Sequence, residues 1–340
     1  MANAAKTTKR TFITVDSGKF MTKAVRRENG KIIEKFEVST KIGTTTEKFS
    51  TSRSSYVVTL NGKSSLIGGV GGEYNFDTSK AQEVHRNATY LAVSKLANDQ
   101  KIPVVLSIGC PLSVWFNTQL REDYRRFMLN FPKDDPRDPN EGPFDVEFEV
   151  NGEPFKFEIE HLIVYPETSG FLIKNEEEFA GRSIAVVDIG GLNVNGVVYQ
   201  PTGEDGLLEP NEDTFFTLNK GGNVFMTELA KALNKRFGLN IQTYEMDEHF
   251  KRGYIKVDKT ESAKIIKEFT DAYLDEIRGK MKAHSWSVET LDFAWVGGGS
   301  LLFKKHILAI PVFEDSLISD NAVWDNAEGF AQATEDAFEE

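Results

Sequence analysis

Short apolar, β-branched runs fill the first third of the chain, and each predicts a strand. They cover Thr11 to Val15, Met21 to Arg26 and Lys31 to Val38. Two further runs, Ser54 to Leu60 and Ser64 to Ile67, flank Asn61-Gly62. An Asn-Gly pair in that position predicts a hairpin, because both turn residues need positive φ. Gly68-Gly69-Val70-Gly71-Gly72 breaks regularity, and a helix is expected from about Ser79 to Ala97. Pro103 to Gly109 is a near-continuous apolar run of buried type, ended by Cys110-Pro111. Leu120, Tyr124, Phe127, Met128 and Phe131 fall on one helical face. Alternation resumes around Asn151-Gly152, with Val146, Phe148 and Val150 on one arm and Phe155, Phe157 and Ile159 on the other. A strand reaching Tyr165 ends at Pro166-Glu167.

The second half opens on the apolar strand Ile184 to Val187 and repeats the hairpin order of the first. Phe215 to Leu218 is another strand, and Gly221-Gly222-Asn223 leads into a helix with Phe225, Leu229 and Leu233 on one face. Ile266, Phe269, Tyr273, Ile277 and Met281 mark a longer helix. Phe293 to Val296 is a short strand, and a last helix starts near Asn321. Strands alternating with helices in two similar halves predict two α/β domains.

Two stretches repeat each other. Val15-Asp16-Ser17-Gly18 and Val187-Asp188-Ile189-Gly190-Gly191 each place an aspartate at the end of an apolar strand with a glycine turn behind it, 172 residues apart. A third glycine turn, Gly297-Gly298-Gly299-Ser300, also follows a strand. Glycine lets the backbone approach a ligand and aim N–H groups at phosphate oxygens. Lys19, Thr22 and Lys23 offer charge and hydroxyls beside the first turn. Beside phosphate an aspartate is repulsive unless Mg²⁺ intervenes, directly or through its water shell. Any one of these turns alone reads as a strand-terminating turn with a capping aspartate. The matched pair together with the triple glycine reads as a phosphate site.

Composition narrows the class. With 340 residues, 40% hydrophobic and 27% charged, the chain has an ordinary globular balance and room for two domains. A single cysteine, Cys110, rules out a disulfide framework and fits a reducing compartment. The polar, basic start, Met1 to Arg10, carries no apolar signal-peptide core, and no run suits a bilayer span. A net charge of −12 argues against broad nucleic-acid binding. The tail acids Glu335, Asp336, Glu339 and Glu340 read as a solvated helix end. No Walker A or complete dinucleotide fingerprint occurs, and the five histidines show no metal-ligand spacing.

The order of motifs resembles the actin / sugar kinase / heat-shock chaperone ATPase superfamily. Val15 to Gly18 resembles its first phosphate loop, Val187 to Gly191 its second, and Trp295-Val296-Gly297-Gly298-Gly299-Ser300 its adenosine motif. Ser107-Ile108-Gly109-Cys110-Pro111-Leu112 and Tyr165-Pro166-Glu167-Thr168-Ser169-Gly170 resemble the end of the first domain and the first connecting helix. Asn321 to Phe330 resembles the second connecting helix. Within the superfamily the chain is most similar to ParM-type bacterial actins of plasmid segregation. The resemblance implies an actin-like α/β fold, two related domains with a nucleotide cleft between them. Domain I would span 1–166 and 321–340 with a small outer subdomain at about 38–80. Domain II would span 167–320 with an outer subdomain at about 238–290.

The resemblance also implies ATP, with GTP as the alternative, and Mg²⁺ as ligands. Asp16 and Asp188 would face the metal through water as catalytic acids, and Glu167 would position the hydrolytic water, with Asp188 sharing that work. Ser17, Gly18, Lys19, Gly190, Gly191, Leu192 and Asn193 would line the phosphates. Gly222 and Asn223 would lie near the ribose or phosphates, and Gly297, Gly298, Gly299 and Ser300 near the adenosine. Implied partners are further copies of the chain in a filament and a DNA-bound adaptor at a plasmid centromere, in a bacterial cytoplasm, without membrane contact. Leu192-Asn193 departs from the small residue and threonine common in relatives, removing a hydroxyl, and Phe20 has no evident role. A non-polymerising small-molecule kinase or phosphatase on the same fold is the alternative. The loop Lys133 to Pro143 and the Asn151-Gly152 hairpin are exposed candidates for filament contacts, although a plain solvated loop is the preferred reading.

Overall fold

The computed structural model describes residues 9–44, 54–69, 72–75, 77, 80–132, 134–203 and 206–339. Val70, Gly71, Ser79, Lys133 and Glu340, and part of the outer segment 38–80, lie outside the described residues. The strands are β1 (Thr11–Ser17), β2 (Met21–Glu28), β3 (Lys31–Ser39), β4 (Lys41–Thr44), β5 (Ser55–Leu60), β6 (Lys63–Gly68), β7 (Glu73–Tyr74), β8 (Val104–Cys110), β9 (Phe144–Val150), β10 (Glu153–Pro166), β11 (Ile184–Ile189), β12 (Val194–Thr202), β13 (Leu207–Pro210), β14 (Phe216–Leu218), β15 (Asp292–Val296) and β16 (Leu317–Ile318). The helices are α1 (Glu83–Leu96), α2 (Leu112–Trp115), α3 (Thr118–Met128), α4 (Gly170–Lys174), α5 (Glu176–Phe179), α6 (Gly222–Phe237), α7 (Met246–Arg252), α8 (Lys259–Ala283), α9 (Gly298–Ile307) and α10 (Asp325–Glu339).

The chain forms two units, Met1–Lys174 with Asn326–Glu340, and Asn175–Asp325. The first holds a ten-stranded sheet in the order β3-β2-β1-β8-β10-β9-β5-β6-β4-β7. The second holds a six-stranded sheet in the order β13-β12-β11-β15-β16, with β14 beside β12. One scheme underlies both. An antiparallel hairpin, β1–β2 or β11–β12, begins each. Parallel strands then follow on its first strand, β8 and β10 in one unit, β15 and β16 in the other. Burial on both faces explains why Val104 to Cys110 is a near-continuous apolar run, broken only by Ser107, rather than an alternating one.

Both Asn-Gly pairs form the expected turns. Asn61 and Gly62 have φ of 51° and 75°, and Asn151 and Gly152 have 54° and 83°. In β9 the period-two pattern buries Phe144, Val146, Phe148 and Val150. Its partner differs from the sequence reading. The second hairpin arm and the strand to Tyr165 are one strand, β10, which pairs antiparallel with β9 up to Ile159 and parallel with β8 from there. A bulge between Ile159 and His161 lets it change partner, and Gly142 packs against it, since a Cβ there would fall 2.1 Å from the Glu160 carbonyl.

The core of the second unit is aromatic. Phe225 of α6 meets Phe303 of α9 edge-on at 4.9 Å and Phe250 of α7 at 5.5 Å. Phe225, Leu229 and Leu233 are buried as the helical period requires. Four expectations need correction. The first helix begins at Glu83 and the last at Asp325, because Asn321 to Trp324 are a turn. Leu120 is 46% exposed and Phe131 lies beyond α3, so only Tyr124 and Met128 of that face are buried. The tail is not uniformly solvated: Asp336 is exposed, but Glu335 is 1% exposed. Its Oε2 accepts from Arg27 Nε at 2.6 Å and from the Gly30 N–H at 3.0 Å. The tight β2–β3 turn presents that N–H, and the paired carboxylate fixes α10 to the hairpin.

Candidate functional site

In the first unit three parallel strands end together. Asp16 is the penultimate residue of β1, Gly109 the penultimate residue of β8, and Glu167 follows β10. A Cβ at Gly109 would be tight against the Phe330 ring, at 3.1 Å, and would touch both acids at ordinary contact distance, 3.7 Å from Asp16 Oδ1 and 3.6 Å from Glu167 Cγ. The two carboxylates therefore flank one bare stretch of backbone at the carboxyl ends of the strands, where open α/β sheets bind ligands. Each is met by a lysine. Lys23, opposite Asp16 in the hairpin register, places Nζ 3.3 Å from Asp16 Oδ2. Lys80 donates to Glu167 Oε1, and both side chains are buried.

Glu167 is held by its backbone as well. Its N–H donates to the Cys110 carbonyl at 2.9 Å. The next residue, Thr168, has φ of 80°, an uncommon conformation for a β-branched residue, and is fully buried. Ser169 Oγ donates to the Pro166 carbonyl at 2.8 Å and closes this turn, after which α4 begins at Gly170.

In the first loop, a Cβ on Gly18 would lie 2.8 Å from the Met21 carbonyl, so the tight turn requires glycine. Ser17 Oγ lies 3.1 Å from both Thr22 Oγ1 and His85 Nδ1, and Thr22 Oγ1 continues to Thr40 Oγ1 at 2.9 Å. This buried chain of hydroxyls turns the Ser17 side chain inward. Lys19 is nearly buried, and burial, followed by the Lys80 ammonium, lowers its proton affinity. Phe20 stacks on Tyr74 at 4.9 Å, so it joins the loop to β7.

His85 is buried in α1, and burial, with Lys80 next in weight, depresses its pKa to about 3. The unfolded chain protonates this ring below about 6.5, while the folded chain keeps it neutral down to about 3. Its contribution therefore falls as pH drops through that window, with a slope of at most about 1.4 kcal/mol per pH unit. Urea midpoints measured from pH 7 to pH 4 are expected to fall more steeply for the wild type than for His85→Gln. Equal slopes would show that His85 does not titrate on unfolding.

In the second unit, three glycine turns meet. Asp188 ends β11 as Asp16 ends β1, and its cross-strand partner is Asn195. Gly297 has φ of 79°, and a Cβ on it would fall 2.1 Å from Asp188 Oδ1 and 2.6 Å from the Ile189 carbonyl. Gly299 lies equally close, with a Cβ 2.2 Å from Ile189 Cγ2. A Cβ on Gly221 would meet the Gly190 carbonyl at 2.4 Å. The Gly190 N–H closes its own turn on the Asn193 carbonyl at 2.9 Å.

Sequence reasoning gave all these residues equal standing, and the geometry separates them. The N–H groups of Gly222 and Asn223 donate to the Gly190 and Gly191 carbonyls at 2.9 Å each, so the start of α6 braces the second loop. Leu192 is buried in the core. Ser300 Oγ donates to the Val296 carbonyl at 2.5 Å. Asn193 Nδ2 donates to Asn195 Oδ1 at 3.1 Å. Gly298 and Gly299 open α9, where the first N–H groups of a helix have no intrahelical acceptor. Lys80 and His85 were missed, since Lys80 is 87 residues from Glu167 and no spacing links them.

Residues 14–170 match the family model for the actin like proteins N terminal domain. The chain has the actin-like fold, and its structure is similar to those of Alp12 and a ParM protein. An Alp12 filament structure superposes with a TM-score of 0.69 and 26% identity, covering 97% of this chain and 99% of that one. The archaeal actin homologue Ta0583 superposes with a TM-score of 0.72 and 16% identity over 96% of this chain and all of that one. A 15-stranded ParM filament from Clostridium botulinum gives a TM-score of 0.68 and 15% identity, with 96% and 99% coverage. No curated protein sequence matches the chain.

Proposed function

We propose that this protein is a filament-forming ATPase of plasmid DNA segregation, in which nucleotide binding drives assembly and hydrolysis drives disassembly. The observation that carries this reading is the convergence of Asp16 and Glu167 on Gly109, each acid with its own lysine, behind a glycine turn that admits no side chain. The bare turn suits a phosphate chain, whose oxygens accept backbone N–H groups and attract lysines. The homologue Ta0583 has a structure in complex with ADP.

In this reading Gly18 and Lys19 receive phosphate in the first unit, with the Ser17 hydroxyl turned inward behind them, and Gly191 and Asn193 do so in the second, where the Gly190 N–H closes the turn. Gly297, Gly298 and Gly299 let the adenosine pass close to the backbone. Gly222, Asn223, Leu192 and Ser300 support those loops from behind. Among the described residues no group of three or more His, Cys, Asp or Glu side chains stands ready to cage a metal. An Mg²⁺ ion would be held mainly by phosphate oxygens and water, with Asp16 in the first unit and Asp188 in the second as its candidate water-mediated partners. Such an ion would neutralise charge on the transferred phosphoryl group. Glu167 accepts a proton-side hydrogen bond from the attacking water and orients it. The partners are further copies of the chain and a DNA-bound adaptor at a plasmid centromere. The setting is the bacterial cytoplasm. Among the described residues no helix is long and apolar enough to cross a membrane.

Light scattering and pelleting with Mg²⁺ and ATP, GTP or ADP, with phosphate release followed in the same samples, test this. Polymer is expected with ATP and should decay as phosphate appears. GTP in place of ATP as the effective trigger would reassign the base. Nucleotide binding without polymer over a broad concentration range would replace the reading by a small-molecule kinase on the same fold.

A further inference from the structure

Among the described residues, the charges that meet at the first loop are balanced. Lys19, Lys23 and Lys80 supply three ammoniums, and Asp16, Asp77 and Glu167 supply three carboxylates. Lys23 faces Asp16 at 3.3 Å, Lys80 is ion-paired with Glu167, and Lys19 lies within electrostatic reach of Lys80, Glu167 and Asp77. The Lys80 and Glu167 side chains are the most enclosed opposed pair, at 3% and 9% exposure. In a balanced set, a phosphate gains a charge-assisted hydrogen bond by taking a lysine from a carboxylate.

Resting on the nucleotide-dependent reading above, we propose that Lys80 is a positioning residue that serves two anions in turn. It holds Glu167 in the free protein and passes to a phosphate group of the bound nucleotide, releasing the Glu167 carboxylate to the attacking water. Hydrolytic competence then waits on nucleotide, because the group that orients the water is engaged until a competing anion arrives. Lys19 favours the exchange, since an anion drawn to both ammoniums offsets the repulsion that Lys80 exerts on Lys19. Lys80 is suited to the change of partner because its ammonium is a point charge with three rotatable donors on a long stem.

Glu167→Gln removes the competing charge and keeps the size. Calorimetric titration of the full chain, below its assembly concentration, would use the Mg²⁺ complex of the imido analogue of ATP. Glu167→Gln is expected to bind roughly tenfold more tightly than the wild type, a coupling within the range for residues in contact. The gain should vanish in Glu167→Gln/Lys80→Met, while Lys80→Met alone binds more weakly and Lys80→Arg recovers most of the loss. A purely structural ion pair predicts no gain. Equal or weaker binding by Glu167→Gln, or a gain that survives loss of Lys80, overturns the exchange while leaving nucleotide binding intact. Absence of binding by the wild type overturns the nucleotide reading itself. If Glu167→Gln is unfolded at the working temperature, Glu167→Asp, one methylene shorter, is expected to tighten binding in the same direction, and an unchanged affinity there would count against the exchange.

Discussion

Replacing Glu167 by alanine is expected to slow phosphate release by about a thousandfold, within the range for loss of a positioned acid–base group. Polymer formed with ATP should then persist rather than decay. The expectation rests on where Glu167 stands: at the end of β10, beside the bare backbone of Gly109 and in the same space as Asp16. Its backbone is fixed by the bond to Cys110 and by the turn at Thr168, so the missing part would be the carboxylate alone. Truncation also leaves buried Lys80 without this acid, which should lower stability by up to about 3 kcal/mol. Thermal unfolding of the variant therefore accompanies the rate measurement. A folded Glu167→Ala protein that hydrolyses ATP at the wild-type rate would remove Glu167 from the mechanism and move attention to Asp188.

Gly297→Ala is expected to destabilise the second unit by about 3 kcal/mol and to abolish measurable nucleotide binding. Two effects combine. At φ 79° and ψ 158°, a region kept almost entirely to glycine, alanine costs about 1–3 kcal/mol in backbone strain alone. Its Cβ would also stand 2.1 Å from Asp188 Oδ1 and 2.6 Å from the Ile189 carbonyl, so either the loop or the aspartate must move. Gly298→Ala is the control, since its Cβ meets only Val323 Cγ2 at 3.6 Å, an ordinary contact. Trp286 and Trp295 lie in the second-unit core, so intrinsic fluorescence in urea reports the change. Equal midpoints for Gly297→Ala and the wild type would show that the loop relaxes without cost.

Local rules made much of this legible. Both Asn-Gly hairpins follow from the positive φ that the turn demands, and the buried strands β8 and β11 follow from mostly apolar runs. The aspartates could be matched because each ends a strand and precedes a glycine turn, a local pattern repeated along one chain. Other features were not legible, each for a physical reason. The continuity of β10 depends on a bulge that changes its partner, and nothing within the segment marks which neighbour will pair with it. Glu335 reads as a solvent-facing helix acid until Arg27 and the Gly30 N–H are brought to it from more than 300 residues away. The helical face at Leu120 looks complete by period, yet the sheet covers only its later turns.

The sequence by itself determined the alternation of strands and helices, the two matched aspartate turns and the places where only glycine serves, because these depend on neighbours a few residues apart. Tertiary structure decided which of the nominated groups keep free polar atoms and which are committed to bracing. The Gly222 and Asn223 amides, the Ser17 and Ser300 hydroxyls and the Leu192 side chain are all engaged within the protein. Tertiary structure also paired Lys80 with Glu167. Such a pairing depends on two strand ends and a helix entry meeting in space, and the strength of the interaction depends on the burial that this meeting creates.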